Sequence, residues 1–274
     1  MIQYAEKNGV GFYHSTLLVS LHAFSTRLGG ISPHPPLASL NLAHGRGDNP
    51  ETVWQNLQRF AYAVGIEPES VISLPQVHGT QVLPVTVDDA GRGYAKPANG
   101  EGDGYVTAES GVTLGVKSAD CVPVLLEARD RDNRVLAVAA VHAGWRGTAG
   151  GIVTNAVCAL REKCGKDAQI YAAIGPCIGP CCFEVGRDCV DVFESLLGAS
   201  LVHQCFATAD NGKYFGDLIR INRMLLIAAG VPADHIDTAD VCTCCHPERF
   251  FSHRYAAKHT DGVRGTMLSV ICKK

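Results

Sequence analysis

Three short stretches of the sequence end an apolar or β-branched run in a polar turn and place a metal donor there: PQVHG with His78, KSADC with Cys121 and VHAGWRG with His142. Two imidazoles and one thiolate suit Zn²⁺. Three protein ligands leave a fourth tetrahedral position for water, as in catalytic zinc sites, whereas structural zinc takes four. The separations, 43 positions from His78 to Cys121 and 21 from Cys121 to His142, match no local zinc pattern, so only the fold can gather the three. Singly, each also reads as an ordinary polar residue at a strand end.

Other cysteines invite similar readings. The segment CTCCH (242–246) has the look of a metal cluster, but the adjacent Cys244 and Cys245 point in different directions, which argues against a second metal site there. HPE at 246–248 and PCIGPC at 176–181 echo the H-x-E…P-C-x-x-C signature of zinc deaminases in reversed order and with the cysteines one residue too far apart, so the echo is taken as accidental. Twelve cysteines would suggest disulfides in a small secreted chain. A chain of 274 residues with 46% apolar content builds its own core, and burial as small hydrophobes is the default for most of these thiols.

The elements that must position the donors alternate along the chain. ETVWQNLQRFAYAVG predicts a helix, with Asp48 or Asn49 as cap, Pro50 at its first position, Gly65 at its end, and Val53, Leu57, Phe60 and Val64 on one face. Further helices are predicted from 152 to Gly165 and over 215–229. Strands are predicted at 17–24, 80–85, 111–116, 123–128, 134–141, 169–174 and 267–272. All-apolar and alternating runs occur together, which predicts an α/β (α+β) layered single domain over 1–274: a mixed sheet or sandwich core flanked by helices. The Gly/Pro-rich stretch 91–104 is the longest expected loop. A formal charge of −3 with no basic block argues against nucleic-acid binding. No apolar run reaches a membrane span, and MIQYAEKNGV lacks a signal core, so a cytoplasmic protein is expected.

The phrases FSTRLGGIS, SLNLAHGRGDNPETV, LPQVHGTQV, GDGYVT, SADCVPVLL, AVHAGWRGTAGGIV, IGPCIGPCCFEVG and FFSHR follow one another from residue 24 to 254. In this the chain resembles the YfiH family of laccase-domain proteins, once called multicopper polyphenol oxidases and now regarded as purine nucleoside enzymes. The resemblance implies a layered α/β fold related to cysteine-hydrolase-like toxin domains. It implies zinc on His78, Cys121 and His142, the set that ligand chemistry picks out, and makes these the candidate catalytic residues. It also implies two reactions, phosphorolysis of adenosine, inosine and methylthioadenosine, and deamination of adenosine. Deamination suits a zinc centre, which lowers the pKa of its water from 15.7 towards roughly 7 for attack on C6 of adenine. Phosphorolysis needs an anion pocket beside the ribose C1′. Arg27 in STRLGG and Arg146 in GWRG are candidates because neighbouring glycines let backbone N–H groups approach, although exposed salt-bridging is the default for either. Asp120, adjacent to Cys121, is placed to orient a ligand, accept a proton or cap a helix. The implied partners are a purine nucleoside and phosphate, with no nucleic acid or membrane; the oligomeric state is not legible.

Two other classes stay open. In a cysteine hydrolase, Cys121 would be the nucleophile and His142 its base, acting on an amide such as a cell-wall precursor. A non-catalytic protein would use the pocket to bind a nucleotide or a partner chain. Copper is a candidate replacement for zinc because Cu²⁺ outranks it in intrinsic affinity. A true multicopper site is excluded, since the 11 histidines are scattered and form no His-x-His pair.

Overall fold

The computed structural model describes Met1–Lys274. Two six-stranded sheets lie at its centre. One runs in the order Ile2–Lys7, Val10–Ser15, Leu21–Ser25, Met267–Cys272, Thr113–Ser118, Val71–Ile72; the other in the order Ile236–Thr238, Gln169–Ile174, Val122–Arg129, Val135–Ala143, Gly104–Thr107, Val82–Pro84. Most pairings are antiparallel, with parallel pairs at the sheet margins, so the expected mixed sandwich is present.

Side-chain alternation between two covered faces explains why Gly104–Thr107 and Val122–Arg129 are buried at every residue. In Val122–Arg129, Leu125 faces the other sheet, packing with Phe24, Val116 and Met267, while Val124 and Leu126 face outward onto helices. The outer face is covered by helix Ile152–Cys164, which presents Ile152, Val153, Ala156, Val157 and Leu160, with Phe193 and Leu226 from later helices. Helix Pro50–Val64 covers the far face of the first sheet through Leu57, Phe60 and Ala61. The result is four layers, helix, sheet, sheet, helix, in which each buried Val or Leu contributes roughly 1.5–3 kcal/mol.

Several boundaries differ from expectation. The run 17–24 forms a strand only from Leu21. Its earlier part leaves the sheet because the amides of Val19 and Ser20 donate to the fully buried Glu127 carboxylate, each at 2.9 Å, and Arg129, ion-paired to that carboxylate, donates to the Leu17 carbonyl. The first two strands form a hairpin turning at Asn8 and Gly9, both at positive φ, an Asn-Gly signal that the strand prediction passed over. Helices Arg187–Leu197, Ala199–Cys205 and His253–His259 were also not anticipated. No helix is long and apolar enough to cross a membrane.

Candidate metal centre

Strand direction gathers the donors. Val122–Arg129 and Gly104–Thr107 flank Val135–Ala143 on opposite sides and run antiparallel to it, so their first residues meet its last. His142 therefore has Cys121 on one side and Asp103 on the other. Cys121 stands at the corner where the chain passes from Thr113–Ser118 in one sheet to Val122–Arg129 in the other. His78 arrives from the turn before Val82–Pro84, the next strand along.

The ligand atoms of His78, Cys121 and His142 all lie within 4.8 Å of one another. Cys121 Sγ is 3.9 Å from His78 Nε2, and the two imidazoles meet edge to face with centroids 4.9 Å apart. Bonds of about 2.3 Å to sulfur and 2.05 Å to nitrogen at a tetrahedral angle put these atoms about 3.6 Å apart, so the donor set fits zinc with a small contraction. His142 is buried, half-buried Cys121 stands beside it, and His78 faces solvent, which leaves a side of the site open to substrate.

Asp103 organises this centre, and sequence reasoning gave it no role. Its Oδ1 lies 2.8 Å from His142 Nδ1, fixing the proton there and leaving Nε2 for the ligand position. The same carboxylate accepts the backbone N–H groups of Val77, His78 and Gly79 at 3.0, 3.0 and 2.8 Å. It thereby holds the QVHG turn, in which His78 has a positive φ of 60°. Gln76 ties the same turn to the neighbouring strand, donating to the Lys117 carbonyl at 2.8 Å and accepting the Lys117 amide at 2.7 Å. Gly144 completes the floor: a Cβ there would come 2.7 Å from His78 Cδ2.

The side chains set one another's charge. Burial disfavours a Cys121 thiolate, but hydrogen bonds from His142 and His78 outweigh it and bring the thiol down to about 6. Burial likewise opposes a charged His142, yet Asp103 and Cys121 carry it up to about 9. Burial raises Asp103, and the bonds from His142 and Gly79 more than offset it, so the carboxyl is held below its ordinary value.

Two hollows meet at the centre. One, of about 430 Å³, is polar and basic, with Arg46, Lys117 and Arg264 on its walls. The other, of about 510 Å³, is half apolar, lined by Trp145, Ile178, Phe183 and Leu218 together with Arg146 and His253. His78, Cys121 and Arg264 line both. In the basic hollow, burial and then the nearby Arg46 lower both Lys117, to about 8, and Arg264. Arg264 Nε is buried with no hydrogen-bond partner.

The remaining sequence candidates are distributed differently. Arg146 stacks on Trp145, 4.1 Å from its ring centroid, at the edge of the apolar hollow. Arg27 is not brought to the centre. Its guanidinium donates to the carbonyls of Ala38, Pro247 and Pro35 at 2.6, 2.7 and 2.9 Å and stacks over Phe251, beside a separate depression. Asp120 is buried with its carboxylate turned away from the metal donors, accepting from Thr243 Oγ1 at 2.6 Å and the Arg254 amide at 2.7 Å.

Residues 21–274 match the family model described as multi-copper polyphenol oxidoreductase laccase. The chain belongs to this family. It is 38% identical over 255 residues to purine nucleoside phosphorylase YlmD of Geobacillus stearothermophilus, covering 91% of this chain and 89% of that one. It is 36% identical to purine nucleoside phosphorylase YfiH of Escherichia coli over 90% of this chain and 91% of the relative. Among solved structures, YfiH of Bacillus licheniformis superposes with a TM-score of 0.87 at 30% identity over 99% of both chains, and YlmD of G. stearothermophilus with 0.85 at 34% over 100% and 98%. The fold is therefore that of the YfiH proteins. The His/Cys groups of this chain are one His₂Cys set and one of four cysteines, so the histidine-rich cluster that a multicopper centre needs is not among them.

Proposed function

We propose that the chain is a zinc-dependent purine nucleoside phosphorylase acting on adenosine, inosine and methylthioadenosine, with adenosine deaminase activity, and that residues 1–274 work as one catalytic domain. The observation that carries this reading is the junction of a three-donor metal centre with a basic hollow on one side and an aromatic one on the other. Relatives of matching length bear the name purine nucleoside phosphorylase. Zinc held by His78, Cys121 and His142 supplies a Lewis acid at that junction when bound, suited both to polarising a substrate oxygen and to hydrolytic deamination.

The purine enters the hollow of Trp145, Ile178, Phe183 and Leu218, whose apolar walls match its faces. Phosphate occupies the hollow of Arg46, Lys117 and Arg264, whose three cationic side chains match its charge. Arg264 lines both spaces and so holds the phosphate close to the sugar. In phosphorolysis a phosphate oxygen forms a bond to C1′ as the C1′–N9 bond breaks; the base leaves with its electron pair and takes a proton, giving ribose 1-phosphate. In deamination, adenosine and water give inosine and ammonia. Arg146 touches the purine side, and Asp120 acts by holding the wall behind Cys121. The chain works in the cytoplasm, whose reducing conditions keep a thiolate donor such as Cys121 available to a metal.

The test is incubation of zinc-loaded protein with adenosine and phosphate, followed by analysis for adenine, hypoxanthine and ribose 1-phosphate. Persistent absence of all three rejects the proposal.

One arrangement favours a second reading. Cys121, His142 and Asp103 stand in the order nucleophile, base and orienting carboxylate of a cysteine hydrolase. A thiolate engaged on zinc is not free to attack, so the readings part on metal dependence. The hydrolase predicts amide cleavage that survives chelation and is abolished by iodoacetamide; activity lost on chelation and restored by zinc rejects it.

A further inference from the structure

We propose that Cys181, Cys182, Cys242 and Cys245 hold a second, structural zinc ion that fastens the wall of the aromatic hollow. The four Sγ atoms all lie within 4.8 Å of one another. Cys245 Sγ stands 3.5 Å from Cys181 Sγ and 3.4 Å from Cys182 Sγ. Four thiolates at about 2.3 Å from one zinc occupy tetrahedron corners about 3.8 Å apart, so the sulfurs already approximate a single-ion site with all four positions supplied by protein. Convergence on one point does not suit an iron–sulfur cluster, whose thiolates are spread over two or more irons.

Of the adjacent pair Cys244 and Cys245 only Cys245 joins the set, and the turn at the other adjacent pair brings both the Cys181 and the Cys182 sulfur within 3.5 Å of Cys245 Sγ. Cys242 and Cys245 stand in C-x₂-C spacing, and Cys244 lies outside the four. The other two thiols come from a distant turn, closed by the amides of Cys182 and Phe183 donating to the Gly179 carbonyl at 3.0 Å each. A parallel bridge between Cys177 and Cys242, and the Thr243 amide donating to the Cys177 carbonyl at 2.9 Å, lay the two segments side by side. The Gly179 amide donates to Cys242 Sγ at 3.2 Å, a bond that favours the thiolate, and a Cβ at Gly179 would come 3.1 Å from Cys242 Cβ. Arg254 donates to the carbonyls of Cys182 and Glu184 at 2.9 Å each, placing a positive charge beside a centre of net charge −2.

The location gives the ion its purpose. The first segment continues into Ile178 and Phe183 and the second into His253 and Arg254, all of which line the aromatic hollow. Asp120, next to the metal donor Cys121, binds both segments: its carbonyl accepts the Ile178 amide at 2.9 Å and its carboxylate accepts Thr243 and Arg254. Zinc on the four cysteines would cross-link the two segments behind the pocket wall, where no covalent link joins them.

The test counts metals and identifies ligands. Protein expressed with zinc and purified under reducing conditions should carry two zinc ions per chain by plasma mass spectrometry; Cys245→Ser and Cys121→Ser should each lose one, and the double variant both. Cys121→Ser, stripped and reloaded with Co²⁺, keeps all four cysteines and should show the intense sulfur-to-cobalt charge-transfer band and tetrahedral visible bands of a thiolate-rich site. That spectrum decides the matter even if Cys245→Ser does not fold. Alkylation of the four thiols should be slowed at least tenfold by the bound ion. Metal content unchanged by Cys245→Ser in folded protein, a cobalt spectrum without thiolate bands, or recovery of a disulfide among the four from freshly purified protein overturns the proposal.

Discussion

Gly144→Ala isolates the geometry of the metal centre from the stability of the fold. Gly144 has φ −60° and ψ 165°, a conformation open to any residue, so the backbone accepts alanine. The new Cβ would stand 3.4 Å from Cys121 Sγ and 3.6 Å from His142 Cε1, ordinary contacts, but 2.7 Å from His78 Cδ2. His78 is exposed and its ring swings away cheaply, by about 0.7 Å at least, to regain ordinary contact, several times the ~0.2 Å tolerance of a metal bond. Stability of the metal-free protein should stay within about 1 kcal/mol, since the entropy gained by replacing glycine offsets the poorer helix cap. Zinc affinity at the centre should fall about 10- to 100-fold, roughly 1.4–2.8 kcal/mol. Competition with a chromophoric chelator gives the affinity and urea unfolding of the stripped protein gives the stability. In a His78→Ala background the same substitution should be silent, because the ring it displaces is gone. Zinc affinity within twofold of wild type, or an undiminished loss in the His78→Ala background, refutes the reasoning.

Asp103→Asn replaces a carboxylate that receives His142 and three backbone amides; zinc affinity should drop about 10- to 100-fold and urea unfolding should show a loss of about 1–3 kcal/mol. Arg27→Ala and Arg264→Gln should separate structure from binding. The first removes three bonds to backbone carbonyls and should lower Tm while leaving the KM for phosphate unchanged; the second should raise that KM about 10- to 100-fold with little change in Tm. Burial and Arg46 lower Lys117 from 10.5 to about 8, so its charge in the basic hollow fades above that pH, and the KM for phosphate should rise between pH 7 and 9 in wild type but not in Lys117→Arg. The same shift makes the unfolded chain bind the extra proton between about pH 8 and 10.5, so this lysine's penalty on stability is full below pH 8 and relieved across that window, which pH-dependent unfolding of wild type against Lys117→Met will show.

The His₂Cys set was legible because imidazole and thiolate donors close apolar runs within phrases that resemble the YfiH family; donor type alone leaves each an ordinary strand-end residue. Asp103 was not, because a lone aspartate between two glycines of a predicted loop looks like turn chemistry until the strands on either side of His142 are known to run antiparallel to it. Arg46, Lys117 and Arg264 escaped notice for a related reason: isolated cations far apart in sequence become a cluster only through the fold. Arg27 drew attention through its glycine-rich setting, yet its donors serve carbonyls of a loop that sequence could not place. The layered class followed from apolar and alternating runs occurring together, since a run apolar on both faces is covered on both: Leu125 faces one layer while Val124 and Leu126 face another. The edge hairpin was harder to read because Ile2–Lys7 is mostly exposed and lacks such a run.

The most direct test of the central claim follows ribose 1-phosphate formation from adenosine and phosphate in wild type and Cys121→Ser, each as purified, after chelation, and after zinc is returned. Wild type should lose the product on chelation and recover it with zinc, while Cys121→Ser, folded by circular dichroism, should form little at any stage because a hydroxyl is a poor zinc ligand at neutral pH. Phosphorolysis that persists in metal-free wild type, or a Cys121→Ser protein with full activity, would contradict the account.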